Sequence, residues 1–361
     1  MKSVNVLFIQ DSTPCIRNIK YAEALQQQGV NVHLLHKNKS PDEAYGRGNS
    51  FYASISIFKN RFFFLKRLSK LIEKYQIDLI HYHNQPDILG ARIIKARLGI
   101  PFVYDCHDFM SFKHRLSGSE KEAERTCNEE SSAIVYPAES YLREASKYYN
   151  MVSMQLVYGN YYPASLLLDP KKFLPKHSHR DGLTHLVYQG RLAEKKSDHR
   201  YIVDGLKAFD PLRFRIHIFP SNRKEFDAYR SIKSVVMYDK VTYAKLISEL
   251  SAMDYGLVMF QDSIAHKLPA VRFAFGNKTF DYLCAGLPVL TQDSLDEIKA
   301  FVKTNQIGWS LVDINSLPHP QSIEYKDMVN RVVTMREEYS MERQISRILK
   351  LYEELIDGIH T

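Results

Sequence analysis

Four short segments of this 361-residue chain combine charged, hydrogen-bonding and turn-forming residues at spacings suited to chemistry on a phosphorylated ligand. In NKTFDYLCAGLPVL (Asn277 to Leu290), Asn277 and Thr279 are both candidate N-cap residues of a helix. A helix N-terminus presents unpaired backbone N–H groups and a partial positive charge, which suits a diphosphate, and Lys278 adds a full charge there. Asp281 lies one turn on, at i, i+4 from Asn277, where its carboxylate can accept hydrogen bonds from a ribose diol. Gly286 and Pro288 close the helix and start a strand. The same residues also read as a plain capped core helix with Phe280, Leu283 and Cys284 turned inward.

In YQGRLAEKK (Tyr188 to Lys196), an arginine at a strand end and a lysine about five residues on can converge on a diphosphate and offset charge developing on a departing nucleotide. Arg191 and Lys196 take those places, with Lys195 as the rival lysine; two solvated surface cations is the alternative. In YDCHDFMSF (Tyr104 to Phe112), His107 and Asp108 follow a strand, where Asp108 can orient the histidine or an acceptor hydroxyl, or simply cap the loop. In HYHN (His81 to Asn84), His81 and His83 point the same way from an extended strand and, with His107, offer nitrogens of the kind zinc takes. A satisfied buried histidine, or His83 lining an acceptor cleft, is preferred to a metal site, and no metal is expected.

The elements that must position these residues alternate strand and helix. VNVLFI (Val4 to Ile9), a turn through Asp11, Ser12, Thr13 and Pro14, a helix to about Gln28, Gly29 as its stop, and VNVHLL (Val30 to Leu35) open the chain. Ser12 and Thr13 thereby become candidates for the acceptor side of a site. IDLIHYH (Ile77 to His83), PFVYD (Pro101 to Asp105), SAIVYP (Ser132 to Pro137) and MQLVYG (Met154 to Gly159) continue the series. Continuous apolar strands separated by helices imply a parallel sheet covered on both faces. A Pro-containing stretch from Tyr161 to about Leu183 interrupts it, and a second series runs from THLVYQG (Thr184 to Gly190) to GWSLVD (Gly308 to Asp313). The expected organisation is two Rossmann-like domains, 1–165 and 166–338, followed by an amphipathic helix at 339–361. In an open α/β sheet, ligands bind at the carboxyl ends of the strands, which is where all four segments fall.

Bulk properties narrow the classes. Apolar residues at 45% and charged residues at 25% are those of a globular protein. Cys15, Cys106, Cys127 and Cys284 have no paired spacing, which argues against a disulfide framework or zinc knuckle and suits a reducing cytoplasm. No secretory signal or spanning segment is expected. The net charge of +8 favours an acidic partner, but no zinc-finger spacing or long basic tail points to nucleic acid. In NRFFFLKRLSKLIEKY (Asn60 to Tyr75), Phe62, Phe63 and Phe64 mix with Arg61, Lys66, Arg67, Lys70 and Lys74, a composition for an anionic membrane surface or for an ordinary Rossmann helix with one solvated face.

The combination resembles family 4 of the GT-B glycosyltransferases, in the form written by some bacterial surface-polysaccharide enzymes: asparagine-lysine, two residues, an acid, a small-residue turn and Pro-Val. The resemblance implies α/β architecture of the GT-B type, two Rossmann-like domains facing across a cleft with a C-terminal helix crossing back to the first. It implies that Asp281 holds the nucleotide ribose and that Asn277, Lys278 and Thr279 border the phosphates. Arg191 and Lys196 take the leaving-group role, and His107 hydrogen-bonds the donor sugar. A second acid, usual eight positions before Asp281, is replaced here by Phe273. The implied reaction is sugar transfer from a nucleoside diphosphate donor to a glycan or lipid-linked acceptor, with retention and without a metal or other cofactor; a cytoplasmic location is expected, and a lipid-linked acceptor would favour the membrane-surface reading of Asn60 to Tyr75. Two alternatives share the architecture: a sugar-nucleotide epimerase, and a non-catalytic partner subunit, which Phe273 and the glycine-free loop Asp11 to Cys15 favour.

Overall fold

The computed structural model describes residues 3–46, 48–84, 86–151, 154–222 and 226–358. The chain divides into two compact units, one made of Met1–Gly159 with Met341–Thr361 and the other of Asn160–Ser340.

The first unit holds β1 (Asn5–Gln10), β2 (Asn31–His36), β3 (Ser54–Ile57), β4 (Leu79–His83), β5 (Phe102–Asp105), β6 (Ala133–Tyr136) and β7 (Met154–Val157). They form a parallel sheet in the order β3-β2-β1-β4-β5-β6-β7. The order reverses between β1 and β4, so the loops leaving those strands splay apart and create a crevice at their carboxyl ends. Central strands β4, β5 and β6 are buried at every residue, as a sheet covered on both faces requires. Edge strand β3, SISI, alternates half-buried and exposed positions. That alternation lacks the continuous apolar run that marks its neighbours, and the sequence reading passes over it.

The helix Ile16–Gln27 follows β1, and the long C-terminal helix Met341–Asp357 packs on it. Met341, Ile345, Ile348, Leu351 and Tyr352 form the buried stripe of the latter. Its Tyr352 hydroxyl lies 2.5 Å from His81 Nδ1 on β4, so the last helix reaches the sheet's central strands.

The second unit holds β8 (Thr184–Gly190), β9 (Phe214–Pro220), β10 (Val235–Met237), β11 (Tyr255–Val258), β12 (Val289–Thr291) and β13 (Gly308–Ser310), parallel and in the order β10-β9-β8-β11-β12-β13. The helix Asn277–Cys284 packs on β11. Contact is close enough that a Cβ at Gly256 would fall 2.1 Å from the Tyr282 ring, so only glycine admits this approach. Tyr282 is fully buried, donates from its hydroxyl to the Leu257 carbonyl and accepts the Gln189 N–H, tying the helix to both β11 and β8.

Candidate functional site

Residues with the chemistry anticipated from sequence gather at the carboxyl ends of the central strands in each unit. In the second unit the chain leaves β8 at Gly190, with φ +125°, and a Cβ there would lie 2.8 Å from Lys278 Cε. The lysine stem therefore runs directly across the backbone that leads into Arg191. Its ammonium sits 3.9 Å from the Tyr188 ring centroid and 5.1 Å from that of Phe260. Burial, with a smaller contribution from Arg200, pushes the Lys278 amine down to about 7.

The helix begins differently from the sequence expectation. Gly276 is the N-cap, with extended backbone and no side-chain capping bond, so Asn277, Lys278 and Thr279 are the first three helical residues rather than caps. Their amides are the ones an α-helix leaves without intrahelical acceptors. Thr279 is fully buried, and its Oγ1 has no hydrogen-bond partner. The preceding segment is pinned by Asn160 Nδ2, which donates to the Phe275 carbonyl at 2.9 Å.

Asp281 is buried, with Oδ2 accepting from Gln189 Nε2 at 2.9 Å and Oδ1 accepting from the Tyr243 hydroxyl. Both of these donors are neutral groups. Phe273 ends the short helix Pro269–Arg272, under the Arg272 guanidinium at 5.3 Å.

The loop after β8 keeps its cations in solvent. Arg191, Lys195 and Lys196 are exposed. Lys196 Nζ lies 3.3 Å from Asp204 Oδ2, an exposed pair of the kind worth little and easily exchanged. Asn222 brackets the loop, accepting from the Leu192 N–H and donating to the Leu192 carbonyl. Thus Lys278 and the Gly190–Arg191 backbone are brought together. Lys196 turns instead to Asp204, and Arg200, which sequence reasoning missed, is the cation acting on Lys278.

In the first unit, Asp105 at the end of β5 is completely buried. Arg17, from the first turn of the helix Ile16–Gln27, grips it with two parallel bonds, Nε to Oδ2 at 3.0 Å and Nη2 to Oδ1 at 3.1 Å. The same guanidinium donates to the carbonyls of Tyr158 and Gly159. Burial alone would raise the Asp105 carboxyl, but Arg17 and then His107 outweigh it and hold it well below the usual carboxylate range.

His107 is positioned by Asn84, whose Oδ1 accepts the His107 N–H at 2.8 Å. Its Nε2 lies 3.1 Å from His83 Nδ1 and 3.4 Å from Asp105 Oδ2, and its Nδ1 lies 3.6 Å from Cys15 Sγ. Burial works to lower the imidazole, but the Cys15 sulfur and Asp105 raise it to about 10. The orienting carboxylate is therefore Asp105. Asp108, the sequence candidate, instead pairs with Lys113 Nζ at 2.6 Å and accepts from the Tyr141 hydroxyl. Ser12 and Thr13 are half-buried, and the Ser12 hydroxyl donates to the Thr13 carbonyl.

His81, His83 and Asp105 place ligand-type atoms within 4.8 Å of one another. The donor set does not fit an additional cation well, because Arg17 already occupies both oxygens of Asp105. His81 and His83 are instead parallel stacked rings, 4.5 Å apart, whose imidazoles burial pushes down toward the neutral form.

Sequence reasoning missed Cys15, Arg17 and Asp105 in this unit, and Gln189, Arg200 and Tyr243 in the other. The signal for Asp105 was available: an acid closing the buried strand PFVYD needs a partner.

Residues 19–158 match Glycosyltransferase Family 4. No curated relative matches the sequence. Among solved structures the chain is similar to sucrose-phosphate synthase from Thermosynechococcus elongatus, with 13% identity, a TM-score of 0.70, and 98% of this chain and 100% of that one covered. It is similar to Anabaena HepE in complex with UDP-glucose, with 14% identity, a TM-score of 0.72 and coverage of 96% and 99%. A glycosyltransferase from Rickettsia africae gives 12% identity, a TM-score of 0.69 and coverage of 99% of both chains. At these identities the likeness establishes the fold, which is GT-B.

The Asp105–Arg17 pair yields a stability prediction. Arg17→Met strands a buried carboxylate and is expected to cost roughly 3–5 kcal/mol in urea unfolding of the chain. Because the folded Asp105 carboxyl is depressed, the stability it contributes is present above the unfolded carboxylate value and is lost as pH falls through the folded one. A wild-type acid-unfolding curve that Asp105→Asn leaves unchanged contradicts this assignment.

Proposed function

We propose that this GT-B chain, whose residues 19–158 match Glycosyltransferase Family 4, transfers a sugar from a nucleoside diphosphate donor to a glycan or lipid-linked acceptor. The observation that carries the reading is Lys278 lying across Gly190. It joins the start of the helix Asn277–Cys284 to the loop after β8 and surrounds an amine with aromatic faces and a second cation rather than a carboxylate. A diphosphate is the ligand that such a group, together with first-turn helix amides, is built to receive. The HepE complexes with UDP-glucose, with UDP, and with UDP and glucose support a nucleotide donor by analogy of fold.

In this reading Lys278 takes the charged form when phosphate oxygens arrive. Arg191, with Lys196 or Lys195 swung from solvent, offsets the charge left on the departing diphosphate, so no metal is needed. Asp281 receives the ribose diol by exchanging the Tyr243 hydroxyl for a ligand hydroxyl, and Gln189 keeps the carboxylate oriented meanwhile. His107, cationic against Cys15 and Asp105, supplies a donor for an oxygen of the sugar. Transfer with retention and a role in surface-glycan assembly complete the proposal. Anomeric NMR of the product tests the first, and loss of a surface glycan on gene deletion tests the second. An unchanged glycan profile, or an inverted product, removes the corresponding part.

Donor binding is tested by thermal unfolding with a panel of nucleoside diphosphates and nucleotide sugars in the presence of a chelator. A bound nucleotide at 100 times its dissociation constant is expected to stabilise the chain by about 2.7 kcal/mol. Lys278→Met is expected to weaken that nucleotide at least about tenfold, the scale of one charge-assisted contact. Stabilisation by none of them, or stabilisation that Lys278→Met leaves intact, contradicts the donor site.

A membrane surface is the second partner we propose, on one observation. The helix Phe64–Tyr75 buries Phe64, Leu68 and Leu71 and leaves Lys66, Arg67, Lys70 and Lys74 exposed, while Phe62 and Phe63 just ahead of it are 83% and 66% exposed. Two adjacent exposed aromatic rings beside a basic face suit insertion at an anionic bilayer. Among the described residues no helix is long and apolar enough to cross one. Co-sedimentation with vesicles containing phosphatidylserine should fall several-fold in Phe62→Ser/Phe63→Ser. Equal sedimentation of wild type and variant sinks this part.

A further inference from the structure

The group in the first unit that sugar transfer leaves unexplained is Cys15. It is the N-cap of the twelve-residue helix Ile16–Gln27, and its sulfur accepts the Asn18 N–H at 3.5 Å. Serine, threonine, aspartate or asparagine would cap more strongly. The sulfur has a second partner at 3.6 Å in His107 Nδ1, and the opposite nitrogen of that ring lies 3.4 Å from Asp105 Oδ2. Thiol, imidazole and buried carboxylate thus stand in line, the arrangement that activates a nucleophilic sulfur.

Four charged or titratable groups act around the sulfur. His107 lies beside it; Asp105 and Arg17 form the ion pair behind the ring; and the Tyr52 hydroxyl stays protonated because burial, then the Cys15 sulfur, raise it. Burial works against the thiolate, yet His107 and the Asn18 and Gln10 contacts outweigh it and lower the thiol. The other three cysteines are fully buried, and burial pushes the thiols of Cys106 and Cys127 well up. Cys15 alone among the four is half-exposed.

We propose that Cys15 is a thiol-modification site, a nucleophile paired with His107 that forms a mixed disulfide with low-molecular-weight disulfides. The Cys15 sulfur attacks one sulfur of RS–SR, the new S–S bond forms as the old one breaks, and RS⁻ leaves with the electron pair and takes a proton from solvent. The exchange consumes the thiolate that His107 faces. It needs no reactant beyond the disulfide and does not depend on the identity of any sugar donor.

The test uses the full chain with oxidised glutathione, followed by peptide mass mapping across pH 6.5 to 8.5. An ordinary thiol gains roughly 50-fold in thiolate over that range. Cys15 is expected to form the only adduct on the folded protein, with a rate that rises less than this roughly 50-fold. His107→Gln is expected to restore the steep dependence. No adduct at Cys15, or a wild-type rate that climbs like an ordinary thiol, overturns the proposal, and the wild-type profile decides it even where the variant fails to fold. A shallow profile that persists unchanged in folded His107→Gln also overturns it, since the pairing is then not the cause.

Discussion

A carboxylate with no solvent access has to be compensated inside the protein, and Asp105 organises the first unit on that requirement. Its charge is matched by Arg17 from the helix Ile16–Gln27 that follows β1, which fixes that helix against β5 and draws in the carbonyls of Tyr158 and Gly159 where the chain leaves the unit. Asp105 Oδ2, which Arg17 Nε also reaches, lies 3.6, 3.3 and 3.4 Å from ring nitrogens of His81, His83 and His107, and His81 in turn meets Tyr352 of the C-terminal helix. One buried charge thereby links the first helix, two central strands, the loop after β5 and the last helix. Only His107 in this network keeps partial exposure, and it is the ring that carries charge to the rim of the crevice.

The second unit solves the opposite problem. Asp281 is buried and accepts from two neutral donors, while Lys278 is half-buried against ring faces beside another cation. In the proposed reading, the carboxylate exchanges its Tyr243 hydroxyl partner and the amine gains charge as an anion arrives.

Much of this was legible in the chain. The buried parallel strands announce themselves as apolar runs, because both faces are covered, and THLVYQG is Thr184–Gly190 without revision. NKTFD was located correctly at a helix start, but its cap was misread: Gly276 stands one residue earlier, and Asn277 and Thr279 are helical. Cap residues and first-turn residues share composition, so the register of one residue is set by backbone dihedrals that pattern does not encode. The edge strand Ser54–Ile57 escaped because half its side chains face outward. Pairings across long separations, such as Arg17 with Asp105 or Gln189 with Asp281, are properties of topology, and no local spacing foretells them. The same limit assigned the histidine's carboxylate to adjacent Asp108, whereas sheet geometry delivers Asp105.

The most direct measurement is a crystal structure of the chain with a bound nucleoside diphosphate. The account predicts phosphate oxygens within hydrogen-bond distance of Lys278 Nζ and the first-turn amides of Asn277–Cys284, with a ribose hydroxyl in place of Tyr243 at Asp281. A nucleotide bound elsewhere, with Lys278 still stacked on Tyr188 and Asp281 still holding Tyr243, would contradict it.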